Sequence, residues 1–267
     1  MEDPRELSKR RFASAAERYV ESADHTHGES LDRLIQLVDP RPEWRVLDIA
    51  TGGGHTALAV APRVRAVVAS DLTKEMLDAA ERFVRGKGVA NVSFREADAT
   101  ALPFRAGEFD LVTCRVAPHH FPDCARFTRE MARVLKRGGV AAMIDNVVPE
   151  DAVAADFVNA FEKKRDPSHV RTHSRSSWIR FFTGAGFSVR AVEIFRKARD
   201  FDFWAGMQSA DETTKAELRK MLRDAPPSAL RELAPEESGG KLRFYLTELL
   251  LVAELLLVAD LPPSSHP

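Results

Sequence analysis

Val46-Leu47-Asp48-Ile49-Ala50-Thr51-Gly52-Gly53-Gly54-His55-Thr56 is the stretch that decides the fold. Its apolar residues run almost without a break, as in a strand whose two faces are both covered in a parallel sheet. The glycines that follow let the backbone turn tightly and approach a ligand with no Cβ in the way. A helix is expected over 56–61. Downstream the same unit repeats. Arg65 to Ser70 reads as a second strand, and Thr73 is positioned to cap a helix carrying Met76, Leu77, Ala80, Phe83 and Val84 on one face. Val92 to Glu96 and Phe109 to Cys114 supply the third and fourth strands. Asp123 can cap a helix bearing Phe127, Met131, Val134 and Leu135, with Gly138-Gly139 closing it before a fifth strand, Val140 to Ile144. Alternation of this kind builds βαβ units and a doubly wound sheet.

Outward from this core the rhythm changes. Arg11 to Val38 reads as two helical pieces around a polar loop, Ser22 to Ser30, and Pro40 and Pro42 end the second. After Pro149 come a helix over 152–164, a polar loop from Asp166 to Ser174, a helix ending near Thr183, and a strand from Phe187 to Ile194. A mostly helical insert, Phe203 to Leu233, precedes a long apolar segment, Leu242 to Val258. Val189 to Ile194 and Leu242 to Leu251 are read as late antiparallel partners.

The chain has 267 residues, with 39 Lys and Arg against 40 Asp and Glu and a net charge of -1, so no broad field attracts a polyanion. Cys114 and Cys124 form neither a disulfide framework nor a zinc pattern, and the charged run Met1 to Arg11 lacks the apolar core of a secretory signal. A reduced, cytoplasmic setting is expected. Leu249 to Ala259 carries Glu254 and falls short of the roughly 20 residues a bilayer needs, so no membrane span is expected.

Asp71 closes the second apolar run, where an acid can accept from a ribose or cap the next helix. The turn after Asp48 departs from G-x-G-x-x-G, and a carboxylate there would repel pyrophosphate while favouring a cationic amino-acid group. That contrast argues for a nucleoside with an amino-acid tail.

Here the sequence resembles a known family. Val46 to Thr56, Asp71-Leu72-Thr73-Lys74-Glu75-Met76-Leu77, Asp98-Ala99 with Leu102-Pro103-Phe104, and Phe109 to Arg115 resemble, in order, the four motifs of class I S-adenosylmethionine-dependent methyltransferases. Arg115-Val116-Ala117-Pro118-His119-His120-Phe121-Pro122-Asp123 and Arg165 to Arg171 are similar to the ubiquinone/menaquinone-biosynthesis-like group of small-molecule methyltransferases. The likeness spans most of Phe12 to Ala259, with Ala50 standing where the family commonly has glycine. It implies an α/β three-layer sandwich with a Rossmann-like, mostly parallel seven-stranded sheet and a late antiparallel strand. One domain, 1–267, is expected: a helical cover (1–43), a cofactor-binding half (44–150) and a C-terminal half (151–260) with its insert (203–233).

The resemblance also implies roles. Gly52 and Gly54 would give backbone access to the S-adenosylmethionine tail, Asp48 would orient its ammonium, and Arg115 belongs to the same set. Asp71 would hold the ribose, Leu72 and Met76 would flank adenine, and Asp98 with the Ala99 N–H would meet its edge. Tyr19 and His25 look like family positions that approach the cofactor.

Methyl transfer from a sulfonium needs alignment and exclusion of water, not a metal, and the histidine spacing makes no ligand set, so none is expected. His120 is the candidate base, with anchoring of its loop as the alternative. His119, His169 and Arg171 are candidates for binding the substrate. Phe157, Phe161, Phe203, Trp204, Met207 and Phe244 are candidates for the acceptor's wall, half of them expected to be ordinary core. The expected acceptor is a small, partly apolar molecule, a quinone precursor among the candidates, and the chain a monomer or homodimer. The rival readings are a nucleic-acid methyltransferase, which the near-neutral charge disfavours, and a non-catalytic S-adenosylmethionine-binding protein.

Overall fold

Each short apolar run becomes a strand of one sheet in the computed structural model, which describes residues 3–21 and 28–256. The strands are β1 (Arg45–Ile49), β2 (Ala66–Asp71), β3 (Val92–Glu96), β4 (Phe109–Arg115), β5 (Leu135–Val147), β6 (Phe187–Asp200), β7 (Glu236–Ser238) and β8 (Lys241–Leu255). Their spatial order is β3-β2-β1-β4-β5-β8-β6, and the short β7 forms a hairpin with the start of β8. Strands β1 to β5 pair in parallel. The long β8 runs antiparallel to both neighbours, setting Ile144 beside Leu250 on one side and Ile194 beside Leu249 on the other. The expected mostly parallel sheet with a late antiparallel strand is therefore present, with β7 added as an eighth strand.

Helices cover both faces because both faces of the inner strands are apolar. On one side, Leu34 and Val38 of α2 (Glu29–Val38) and Ala57 and Val60 of α3 (His55–Val60) pack on Val46, Leu111 and Ile144, joined by Val84 of α4 (Lys74–Gly86). On the other, Phe127 and Met131 of α5 (Cys124–Val134) and Trp178 and Phe182 of α7 (Arg175–Gly184) pack on Leu47, Val112 and Met143. These are the three layers. A further cluster joins α6 (Ala152–Arg165), α8 (Phe201–Met207), α9 (Glu212–Arg223) and α10 (Pro227–Leu233) over Phe244 and Leu246 of β8.

Several local expectations need correction. The helix expected to run to Gly138-Gly139 ends at Val134. The glycines instead lie in the irregular start of β5, where pairing with β4 jumps from Phe109–Leu135 to Leu111–Val140. Thr73 stands at the N-cap of α4 without a side-chain bond, and the Asp71 Oδ1 accepts its backbone N–H at 3.0 Å instead. The amino-terminal helix α1 begins earlier than expected and spans Pro4–Glu21. No helix among the described residues is long and apolar enough to cross a membrane.

Candidate active site

Parallel strands β1, β2 and β4 end at one edge of the sheet, where ligands of open α/β sheets bind. Asp48, near the end of β1, is only 1% exposed. It accepts 2.6 Å hydrogen bonds from the hydroxyls of Thr51 and Thr113. Desolvation pushes its carboxyl up to about 6 despite those bonds and the nearby Arg115 charge. Asp48 thus lies beneath the turn rather than on a cavity wall.

The turn itself rests on Asp71, whose Oδ2 accepts the Gly52 N–H at 3.0 Å. Gly52 has φ 53°, a left-handed conformation that a glycine adopts without strain. Gly54 answers to packing: a Cβ there would stand 3.2 Å from the Ala80 Cβ and 3.1 Å from the Val84 Cγ2 of α4. Ala50, where the family commonly has glycine, also carries a left-handed φ of 50°.

A cleft of about 1020 Å³ opens above this turn. Thr51, Gly52, Gly53 and Arg115 line it together with Asp71, Leu72, Met76, Asp98 and Ala99, while Asp48 and Gly54 do not. Desolvation raises the Asp71 carboxyl, countered by backbone N–H donors. The Asp98 Oδ1 accepts from the Thr100 backbone and hydroxyl, both at 2.7 Å, and its Oδ2 accepts from the Arg5 Nη1 at 3.0 Å. Desolvation works against these bonds, yet they hold Asp98 below its ordinary value. Arg115 is desolvated and lowered, with Glu248 and Asp48 opposing that shift, and its Nε donates to Thr56 at 3.3 Å. Arg5, Ser8 and Phe12 of α1 close the cleft from above. Tyr19 lies farther along the same helix, and His25 falls outside the described residues.

A second cavity, about 1040 Å³ with its solvent-open mouth included, adjoins the first. Its apolar wall is Phe203, Trp204, Met207 and Leu246, and its polar wall includes His119, Asn146, Arg165 and Arg199. Phe12, Val116 and His120 line both cavities. Of the six expected wall residues, Phe203, Trp204 and Met207 line this space. Phe161 and Phe244 are buried core, stacked or edge-on to Trp204, and Phe157 packs against them.

The histidines divide by environment. His119 places Nδ1 2.6 Å from the Asp145 Oδ1. His120 has Nδ1 3.2 Å from the Ser168 carbonyl, and burial with the neighbouring His119 lowers it to about 3. His169 is buried with Nε2 3.0 Å from the Asn159 Oδ1; burial first, then the other histidines, lower it to about 2. Arg171 lies on the surface, 3.7 Å from Asp156. Neither His169 nor Arg171 is among the residues that line these two cavities. The loop is held instead by the His119 carbonyl, which accepts the N–H groups of Val170 and Arg171. No group of three or more His, Cys, Asp or Glu side chains that could hold a metal occurs among the described residues.

Sequence reasoning missed Arg5, Ser8, Asn146, Arg199 and Asp145. The first four carry no local signal, because distant segments bring them to the cavities. Asp145 had one: it follows the apolar run Ala141-Ala142-Met143-Ile144, just as Asp71 closes its own strand.

Comparison with known proteins agrees with this geometry. A methyltransferase-domain family model matches residues 47–143. The uncharacterized methyltransferase YcgJ of Bacillus subtilis (strain 168) is 42% identical over 242 residues, covering 90% of this chain and 96% of that protein. The YcgJ crystal structure aligns with a TM-score of 0.83 at 35% identity, over 86% of this chain and 100% of that one. A solved structure from Bacillus halodurans C-125 aligns equally well, with TM-score 0.83 and 36% identity, over the same shares. The sheet order, the turn after β1 and these relatives converge: the chain belongs to the class I S-adenosylmethionine-dependent methyltransferase family.

Proposed function

We propose that the chain transfers a methyl group from S-adenosylmethionine to a small, partly apolar molecule. The observation that carries this reading is the shared wall: two cavities, one polar-edged beside the β1 turn and one aromatic, meet at Phe12, Val116 and His120. Two reactants held in cavities that meet at these residues face each other at the common boundary, with water kept out.

The residues of the first cavity fit the cofactor. Leu72, Met76 and Ala99 form an apolar slot between the acceptors Asp71 and Asp98, which suits a base with a ribose at one edge and an amino group at the other. Arg115 offers a partly buried cation for the tail's carboxylate, and Asp48 contributes negative charge from beneath the turn. The same carboxylates would repel a pyrophosphate. When bound, S-adenosylmethionine supplies an electrophilic methyl on a cationic sulfur. His120 is read here as an anchor of its loop, since a histidine lowered to about 3 is a weak proton acceptor near neutrality. The likeness to quinone-pathway methyltransferases keeps a quinone precursor among the acceptors.

Two measurements test the reading. Calorimetry should detect binding of S-adenosylmethionine but not NAD, and Asp71→Ala should weaken it by about tenfold or more, a loss of roughly 1.4 kcal/mol. Equal affinity in wild type and variant removes Asp71 from the site, and tight NAD binding overturns the cofactor. Labelled S-adenosylmethionine offered to a metabolite extract, and separately to RNA, DNA and protein, should label a small organic product. Labelling of a macromolecule alone sinks the proposal.

A further inference from the structure

We infer that His119 and Asp145 form a base dyad facing the acceptor, and that the acceptor presents a hydroxyl whose proton this dyad takes; this rests on the methyltransferase reading above.

Asp145 is fully buried on β5, between β4 and β8. Its Oδ1 stands 2.6 Å from the His119 Nδ1, and its Oδ2 has no hydrogen-bond partner among the described residues. A carboxylate only accepts, so the hydrogen bond places the imidazole proton on Nδ1 and leaves the lone pair on Nε2. No protein group among the described residues bonds that Nε2, and His119 lines the second cavity. Asp145 does not line either cavity, so it acts through His119 and is a positioning residue.

The surroundings favour proton uptake at this histidine over its neighbours. Burial pushes His119 down, but the charge and hydrogen bond of Asp145, with Glu162 and Asp166 behind, more than offset it and hold the imidazole above its ordinary value. His120 adjoins it in the chain with ring centroids 4.2 Å apart, and His169 faces it at 5.6 Å from the loop. Arg165 of α6 and Arg199 of β6 line the same cavity and carry charge opposing protonation. Arg165 is paired with Glu162 at 2.9 Å and Arg199 approaches Glu248 at 3.4 Å, so much of that opposition is cancelled. His120 and His169 are driven the other way.

A base placed here selects the acceptor's chemistry. A neutral amine attacks unaided and sheds its proton afterwards, whereas an alcohol, or a phenol reacting through oxygen or ring carbon, needs its hydroxyl proton taken as the bond forms. As the attacking pair on oxygen or ring carbon forms the bond to CH3, the S–CH3 pair returns to sulfur and the hydroxyl proton passes to the His119 Nε2. The positive charge lost by the sulfonium ends on the imidazolium beside Asp145. The wall of Phe203, Trp204, Met207 and Leu246 suits an acceptor whose body is apolar.

The test uses S-adenosylmethionine carrying a 13C methyl, the full chain and a metabolite extract. The label should appear by NMR as an O-methyl group, or as a methyl on a carbon of a phenol or enol. His119→Gln should slow its formation by about 10²–10⁴-fold, with affinity for S-adenosylhomocysteine retained. Asp145→Asn, which keeps the side chain's size, should also slow it and should move the rate's controlling ionisation to lower pH. Nitrogen NMR of the full chain with S-adenosylhomocysteine should show His119 protonated on Nδ1 when neutral, a readout that needs no acceptor. Label on nitrogen, the opposite tautomer, or an undiminished rate in His119→Gln overturns the dyad while leaving methyl transfer standing. Failure to bind S-adenosylhomocysteine, or to label any small molecule, overturns the methyltransferase reading and the dyad with it.

Discussion

The Arg5 guanidinium reaches from the amino-terminal helix to Asp98, donating to its Oδ2 at 3.0 Å across 93 residues of chain. That contact ties α1 to the loop after β3 and closes one end of the first cavity. Asp98 keeps its other oxygen on Thr100, so the carboxylate stays oriented when Arg5 moves.

Arg5→Gln should therefore change access more than stability. The Arg5 side chain is 44% exposed, and an ion pair so exposed contributes under about 1 kcal/mol. The dissociation rate of S-adenosylhomocysteine, followed by stopped-flow chase, should rise several-fold while the melting temperature barely moves. An unchanged rate would show that Arg5 does not restrain the cofactor.

Ala50→Gly should stabilise the protein. Ala50 holds a φ of 50°, and an L-residue pays about 1–2 kcal/mol in the left-handed region that glycine does not. Glycine's looser unfolded chain returns part of this, about 0.4–1 kcal/mol. A net gain near 1 kcal/mol corresponds to a rise of about 2–4 °C in Tm, measurable by calorimetry. A fall would mean that the Ala50 methyl, which packs against the core cluster of Leu47 and Ile49, matters more than its backbone angle.

His169 should make the fold acid-sensitive. Its folded pKa, lowered to about 2 by burial, lies below the ordinary imidazole value near 6.5. The unfolded chain thus binds a proton that the folded chain refuses, so this contribution is complete above about pH 6.5 and is lost as pH falls toward the folded pKa. The slope has an upper limit of about 1.4 kcal/mol per pH unit for one group. His169→Gln should flatten the dependence of the urea midpoint on pH between about 4 and 6. The same slope in the variant would assign acid sensitivity to other groups, His120 first among them.

Phe203 and Trp204 are neighbours with different jobs. Phe203 is 51% exposed and lines the second cavity, so Phe203→Ala should cost within about 0.5 kcal/mol of stability yet raise the acceptor KM. Trp204 stacks on Phe161 at 4.9 Å and carries Arg165 over its ring at 4.5 Å. Trp204→Ala should cost about 3–5 kcal/mol, read from denaturant unfolding. Equal and small losses in both would place Trp204 outside the core.

What the sequence revealed follows from how local the determinants are. β3 spans Val92–Glu96 as read, with Val92 and Phe94 alternating with polar residues, and Asp71 closes β2 as expected, because such periods are written into consecutive residues. Gly138-Gly139 misled because a glycine pair ends a helix and relieves a bulge for the same conformational reason. His169 and Arg171 share a motif-like loop, but the pairing of His169 with Asn159 and of Arg171 with Asp156 is tertiary. Arg5 and Arg199 could not be found by spacing at all, since helix α1 and strand β6 reach the site only once the sheet is assembled.

Strand β8 sits between β5 and β6, although residues 148–240 separate it in the chain from β5. On a ribosome this order has a cost in time. The β5 edge, including Ala141 to Ile144, stays unpaired until 241–255 emerge, and β6 has no neighbour to join before then. Pairings of such long sequence separation are slow to form, and a bare apolar edge invites association with other chains. The parallel strands that cradle the first cavity can assemble while synthesis continues. The acceptor side, built on β5, β6 and β8, closes in a single late step, which is where a nascent chain would depend most on chaperones.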